Sequence, residues 1–209
     1  MSISYAVAVD EAAVADAVSA FEFVGGNSAD ALRIAINKCA PKIKTAASKA
    51  IRTQVRLSAA YVGDRLTVRK ASRTRLSGAI STPSRGLLLS RFSTDATISG
   101  DKVGWIRPPL VPAGGIKIKV KPNGGAKFVP HYNHNKPFYI VLNGGQNLGI
   151  AARTGTGRGL HVFSGPSLSQ VFTGVRTDIL PDAGAELTAQ LLDAMRYLLV
   201  KQHPPEPLA

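Results

Sequence analysis

The side chains able to do chemistry in this sequence are few and poorly grouped. His131 and His134 stand three apart in HYNHN, a spacing that on a helix would present two imidazoles to one ion. However, Pro130, Asn133, Asn135 and Pro137 make that stretch a loop, and no cysteine or carboxylate lies near to complete a metal site. The run GTGRG, residues 155–159, resembles part of a phosphate-cradling glycine loop. It lacks the GxxxxGK[ST] spacing, and a strand pattern follows it, so the helix N-terminus that would hold a phosphate is missing and a hairpin turn is expected. His161, between Leu160 and Val162 in a strand pattern, reads as a surface or interface residue. No serine sits in GxSxG or beside an obvious base and acid, and no DxD or ExxH pattern would gather magnesium or zinc. Cys39 is the one cysteine, which excludes an internal disulfide and suits a small core residue better than a nucleophile. Neither catalysis nor a cofactor is expected.

Charge is the property that stands out. The 209 residues carry 26 Lys and Arg against 13 Asp and Glu, a formal net charge of +13. A polyanionic partner or surrounding follows. The distribution is uneven: residues 1–30 hold five acids and no Lys or Arg, whereas residues 31–91 hold 14 basic residues against Asp64 alone. That polarity suits either DNA binding or subunits packed acidic end against basic flank. No apolar run of about 18 residues is present, so no membrane span is expected. The N-terminus lacks the pattern of a signal peptide.

The element that must carry this charge is a long helix over residues 27–60. At about 100° per residue, Leu32, Ile36, Cys39, Ala40, Ile43, Ala47 and Ala50 fall on one side. Lys38, Lys42, Lys49, Arg52 and Arg56 fall nearly opposite. Asn27 or Ser28 can cap its start, Asp30 favours the first turn, and Pro41 should kink the helix or split it near Ala40. A solvated helix face normally mixes both signs, but no Asp or Glu occurs between Ala31 and Asp64. The bland reading is a solvated basic face. The sharper one is a face against nucleic acid or an acidic protein patch, continued by Arg65, Arg69, Lys70, Arg73 and Arg75.

Around that helix the pattern gives an α+β chain, with a long N-terminal amphipathic helix and a C-terminal helix packed on a mainly antiparallel sheet. Residues 1–209 are expected to form one domain. Ile3, Tyr5, Val7 and Val9 alternate as a short strand, and residues 11–24 form a helix ended by Gly25-Gly26. LSGAIST and GLLLSRF read as two strands joined by the Pro83-Ser84-Arg85-Gly86 turn. Residues 93–136, rich in Pro and Gly, suit an extended arm reaching a neighbouring subunit through Trp105, Arg107, Lys117, Lys119 and Lys121. Trp105 could stack on a base or anchor an apolar contact. FYIVLN and LGIAART form a hairpin, GLHVFSGP a third strand, and Ser167 caps a short helix. Asp182 then caps a final helix with Leu187, Leu191, Met195 and Leu198 on one face, before a loose tail at 203–209.

The stretch ALRIAINKCAPKIKTAASKAIRTQVRLSAAYVGDRLTVRKAS resembles the opening of the phage minor tail protein Z family of long, flexible-tailed phages. The A-I-N-[KR] core stands here as Ala35-Ile36-Asn37-Lys38. FYIVLNGG, IAARTG with its Arg-Thr-Gly turn, and GLHVFSGPSLSQVF with Gly-Pro-Ser before a helix are similar to the family's sheet region. The resemblance covers residues 28–175; residues 1–27 and 93–130 lie outside its motifs. It implies a virion structural protein of the tail or neck, assembled in the host cytoplasm. It further implies a homo-oligomeric, hexameric ring around the DNA channel, in contact with the tail terminator, tail tube and neck or connector proteins. No catalytic residue comes with the family. Packaged DNA would be touched only non-specifically, since no base-reading motif is present, and the affinity would fall steeply with salt. The competing reading is a stand-alone, non-specific nucleic-acid-binding protein using residues 33–91.

Overall fold

A computed structural model of the chain describes residues 28–94, 112–142, 147–155 and 159–202, with side chains through residue 198. The strand and helix expected before residue 28, the tail at 203–209, and Trp105 and Arg107 lie outside the described residues. The described chain is α+β, two long helices with small antiparallel sheets. It divides into two compact units, residues 1–50, 63–82 and 172–209 in the first, and 51–62 and 83–171 in the second.

The first unit is built on α1 (Ser28–Gln54), β1 (Thr67–Arg69), β2 (Ala79–Ser81) and most of α3 (Leu168–Gln202). Helix α1 is one continuous element of 27 residues with Pro41 inside it, so of the two outcomes expected at Pro41 the split does not occur. Proline removes one helical N–H, while Thr45 Oγ1 donates to the Pro41 carbonyl at 3.0 Å. Of the expected apolar stripe, Ile36, Cys39, Ala40 and Ala47 are buried while Leu32, Ile43 and Ala50 are half-buried. Ile36 and Cys39, joined by Ala31 and Ala35, which the stripe did not include, form a core with Leu187, Leu191 and Ala194 of α3 and Ala71. Met195 and Leu198 pack against its edge, as their spacing with Leu187 and Leu191 requires. The small residues let the two helices approach closely. Burial pushes the Cys39 thiol up, with the Glu186 charge adding to the effect and Lys42 opposing it. Its Sγ points at the Ala183 carbonyl.

Helix α3 corrects the sequence reading. Instead of a short helix after Ser167 and a second one capped by Asp182, a single 35-residue helix runs through Pro181. Proline costs one hydrogen bond but does not forbid a helix whose apolar face is buried on both sides of it: Phe172, Val175, Ile179, Ala183 and Leu187 are all buried. Ser167 does cap the helix. The Gln170 N–H donates to Ser167 Oγ at 3.1 Å, and the Ser167 N–H donates to Gln170 Oε1 at 3.0 Å, a reciprocal capping box.

The second unit contains α2 (Ala59–Arg65) in part, β3 (Gly86–Leu88), a 3-10 turn (Leu89–Phe92), β4 (Lys117–Ile118), β5 (Lys127–Phe128), β6 (Phe138–Leu142), β7 (Asn147–Arg153), β8 (Leu160–Val162) and β9 (Ser164–Ser167). The β6–β7 hairpin and its third strand β8 form an antiparallel sheet, as the sequence pattern required. The other expected hairpin does not form. β2 pairs with β1, Val68 opposite Ile80, and β3 pairs with β9, Gly86 opposite Ser167. The Pro83–Gly86 turn therefore separates two pairings instead of closing one. Long-range partners outweighed a local turn signal of Pro and Gly.

Several family-like motifs acquire a physical reason here. A Cβ on Gly165 would stand 2.9 Å from the ring of Phe92, which is fully buried, so glycine is what lets the Gly-Pro-Ser segment close on that ring. Ser90 Oγ donates to the Leu148 carbonyl, tying the 3-10 turn to β7. The arm region joins the same body from residue 116 onward. Ile116 and Val129 are buried, Lys119 N–H donates to the Phe92 carbonyl at 2.7 Å, and Arg56 N–H donates to Val120 at 2.7 Å.

Candidate basic interface

The residues expected on the basic face lie at the surface. Lys38, Lys42, Lys49, Arg69, Lys70, Arg73 and Arg75 of the first unit are exposed, and Arg65 is half-buried. In the second unit Arg52 and Arg56 are exposed, as are Lys117 and Lys121, while Lys119 is half-buried. Helix α1 buries Ala31, Ala35, Ile36, Ala40, Ala47 and Ile51, which leaves Lys38, Lys42, Lys49 and Arg52 on its exposed side.

The missing acids are partly recovered by the fold. Lys42 pairs with Glu186 of α3, 144 residues away in sequence, and Gln190 also donates to that carboxylate at 2.9 Å. The Lys42 hydrogen bond holds the Glu186 carboxyl below the usual glutamate value. Asp30 accepts from Arg33 at 3.0 Å and meets Arg73 at 3.7 Å. The expectation of a wholly unpaired stripe is corrected at Lys42 and Arg73. Lys38, Lys49, Arg52, Arg56, Arg69, Lys70 and Arg75 have no acidic partner among the described residues.

Asn37, within the A-I-N-K core, has a role that the sequence does not announce. Its Oδ1 accepts from the Ala71 N–H at 2.8 Å, and its Nδ2 donates to the Ala71 carbonyl at 3.1 Å. One amide thus satisfies both backbone groups of a residue inside the basic loop 70–78. No short-range signal announces a partner 34 residues away.

His134 and His161 sit in structural roles. Asn133 and His134 occupy the left-handed region at φ of 47° and 63° in a tight turn closed between Tyr132 and Asn135. Asn133 and Asn135 donate to the carbonyls of Thr154 and Arg153, at 3.0 and 3.1 Å, clamping the Arg-Thr-Gly turn. His161 stacks on Tyr132 with ring centroids 4.1 Å apart and meets Phe163 edge-on at 5.0 Å. β7 and β8 pair as a hairpin around residues 154–159, and the Thr154 N–H donates to Gly159 at 3.0 Å. Among the described residues, no group of three or more His, Cys, Asp or Glu is placed to hold a metal, and no helix is long and apolar enough to cross a membrane.

The described chain is thus an α+β fold with Lys38, Lys42, Lys49 and Arg52 exposed along α1. Residues 15–202 match the model of the prophage minor tail protein Z (GPZ) family, and the chain belongs to that family. It is therefore related to phage minor tail proteins, components of the virion. Neither the curated proteins nor the solved structures contain a match to it.

Proposed function

We propose that this chain is a structural, non-catalytic component of the phage tail that completes the head-proximal end and joins it to the neck. It assembles in the host cytoplasm as a homo-oligomeric ring, hexameric if it follows the symmetry of a tail. The ring surrounds the DNA channel and contacts the tail terminator, the tail tube and connector proteins. The observation that carries this reading, beside family membership, is the exposure of Lys49 in the first unit and of Arg52 and Arg56 in the second, none with an acidic partner among the described residues. Exposed cations without local counter-charges favour phosphate or an acidic protein surface against them. In a tail this means the lumen or an adjacent ring. Trp105 and Arg107, with Lys117, Lys119 and Lys121, reach a neighbouring subunit in this proposal.

The test combines a charge reversal with a count of subunits. Lys49→Glu, Arg52→Glu and Arg56→Glu together should leave the subunit folded by circular dichroism, yet impair tail assembly or DNA delivery. Native mass spectrometry of the unaltered chain should show a closed ring. Normal infectious particles from the triple variant would refute the role of the basic face, and a persistent monomer that shifts duplex DNA tightly would refute the ring.

A further inference from the structure

Two surfaces of the first unit complement each other, and they do not meet within one chain. The first is the β1–β2 connection, residues 70–78. Asn37 holds Ala71 from both sides, Ser72 and Arg75 exchange backbone hydrogen bonds at 2.9 and 3.2 Å, and Gly78 closes tightly on the Ile36 side chain. From this tied base Arg69, Lys70, Arg73 and Arg75 reach the surface together with Leu76, which is 38% exposed. Arg73 meets Asp30; the other three cations have no acid among the described residues.

The second surface is the outer face of α3. At about 100° per residue, Asp178, Asp182, Ala185, Ala189, Leu192 and Asp193 fall on one side, opposite the buried Ala183, Leu187, Leu191 and Ala194. All six are exposed, Leu192 by 51%. They span about 22 Å of helix, with Arg196 at the far end. Asp178, Asp182 and Asp193 have no basic partner among the described residues, whereas Glu186 on the flank is taken by Lys42. Ala71 belongs to the core on the buried side of α3, so in one chain the loop and this outer face lie on different sides of the helix.

We infer that the β1–β2 loop of one copy seats on the outer face of α3 of a second copy. Charge complementarity selects this occupant. Guanidinium groups present a fork of donors to carboxylates, and the loop offers arginines where the helix offers aspartates. Exposed ion pairs contribute little one by one, so the contact of Leu76 with Leu192 and the alanines beside it forms the centre and the charges its rim. The two surfaces differ, which makes the contact heterologous. Each copy offers its loop to one neighbour and its helix to the other, so subunits add head to tail and close where the rotation permits. The inference rests on the proposed ring and names the surfaces that join its subunits.

Disulfide capture and charge exchange in the full chain test this without DNA. Leu76→Cys with Leu192→Cys should oxidise to a ladder of dimers and longer chains, whereas either cysteine alone should stop at a dimer; Cys39 is buried and does not compete. Lys70→Glu with Arg75→Glu, or Asp178→Arg with Asp182→Arg, should each weaken self-association about tenfold at low salt while the circular dichroism is unchanged. Mixing these two variants should restore assemblies of even subunit number, because in alternating order each reversed surface meets an opposite charge. A closed ring that survives both reversals without a Leu76–Leu192 link overturns the inference and leaves the ring standing. A ladder that never closes supports the inference and removes the ring. A link confined to monomers, no link at all, or a mixture that stays dissociated overturns the inference.

Discussion

At the scale of single residues, the decisive contacts are amides and carboxylates whose partners lie far along the chain. Asn37→Ala strands the N–H and carbonyl of Ala71, which is buried, and should cost about 1–3 kcal/mol in urea unfolding. A loss below about 0.3 kcal/mol would show that water replaces the amide. The Glu186 carboxyl is held low by Lys42, so the folded state favours its charged form. Its contribution is therefore present above the ordinary glutamate range and is lost as pH falls through the lowered value. Glu186→Gln should be less stable than the parent at neutral pH, with the gap closing in acid; a gap that persists in acid would contradict the assignment. These contacts were illegible in the sequence for a simple reason. Hydrophobic period reveals which face of α1 is buried, but nothing at Lys42 or Asn37 encodes a partner 144 or 34 residues away. HYNHN is legible as a loop from its Asn and flanking Pro residues, but its clamp on the Arg-Thr-Gly turn exists only when both segments are in place.

Elements were legible where the period was long and misread where punctuation was local. The apolar stripe of α1, the β6–β7–β8 sheet and the Ser167 cap follow directly from spacing and residue type. The Asp182 cap and the Pro83–Gly86 turn mislead for the same reason: each is a strong local signal overridden by burial or pairing elsewhere. The capping box gives an element-scale prediction. Ser167→Ala should destabilise the start of α3 by about 1 kcal/mol, read as a shift in the urea midpoint with unchanged slope. Gly165→Ala should cost about 1–3 kcal/mol, because its Cβ meets the ring of a fully buried phenylalanine and overpacks the second unit. Full stability in that variant would mean that Phe92 can move aside. The arm is best probed at Trp105 and Arg107, since removing residues 101–136 would take the buried Ile116 and Val129 with it.

At the scale of the whole molecule, the argument rests on charge. A net +13, concentrated after residue 30, favours association with a polyanion. The fold supplies Glu186 to Lys42 and Asp30 to Arg73, and leaves Lys49, Arg52, Arg56, Arg69, Lys70 and Arg75 without carboxylates there. Family membership assigns the chain to the phage tail, and the proposed ring gives those cations a lumen or a neighbour to face. Any direct grip on DNA through such contacts would weaken steeply with ionic strength, with about 0.9 in logarithmic slope for each phosphate neutralised. The most direct measurement is a cryo-EM map of the head–tail junction in the assembled particle. A closed ring whose Lys49, Arg52 and Arg56 abut phosphate density or an acidic neighbouring protein is the result expected. Those three side chains standing open to bulk water in the mature virion would contradict it.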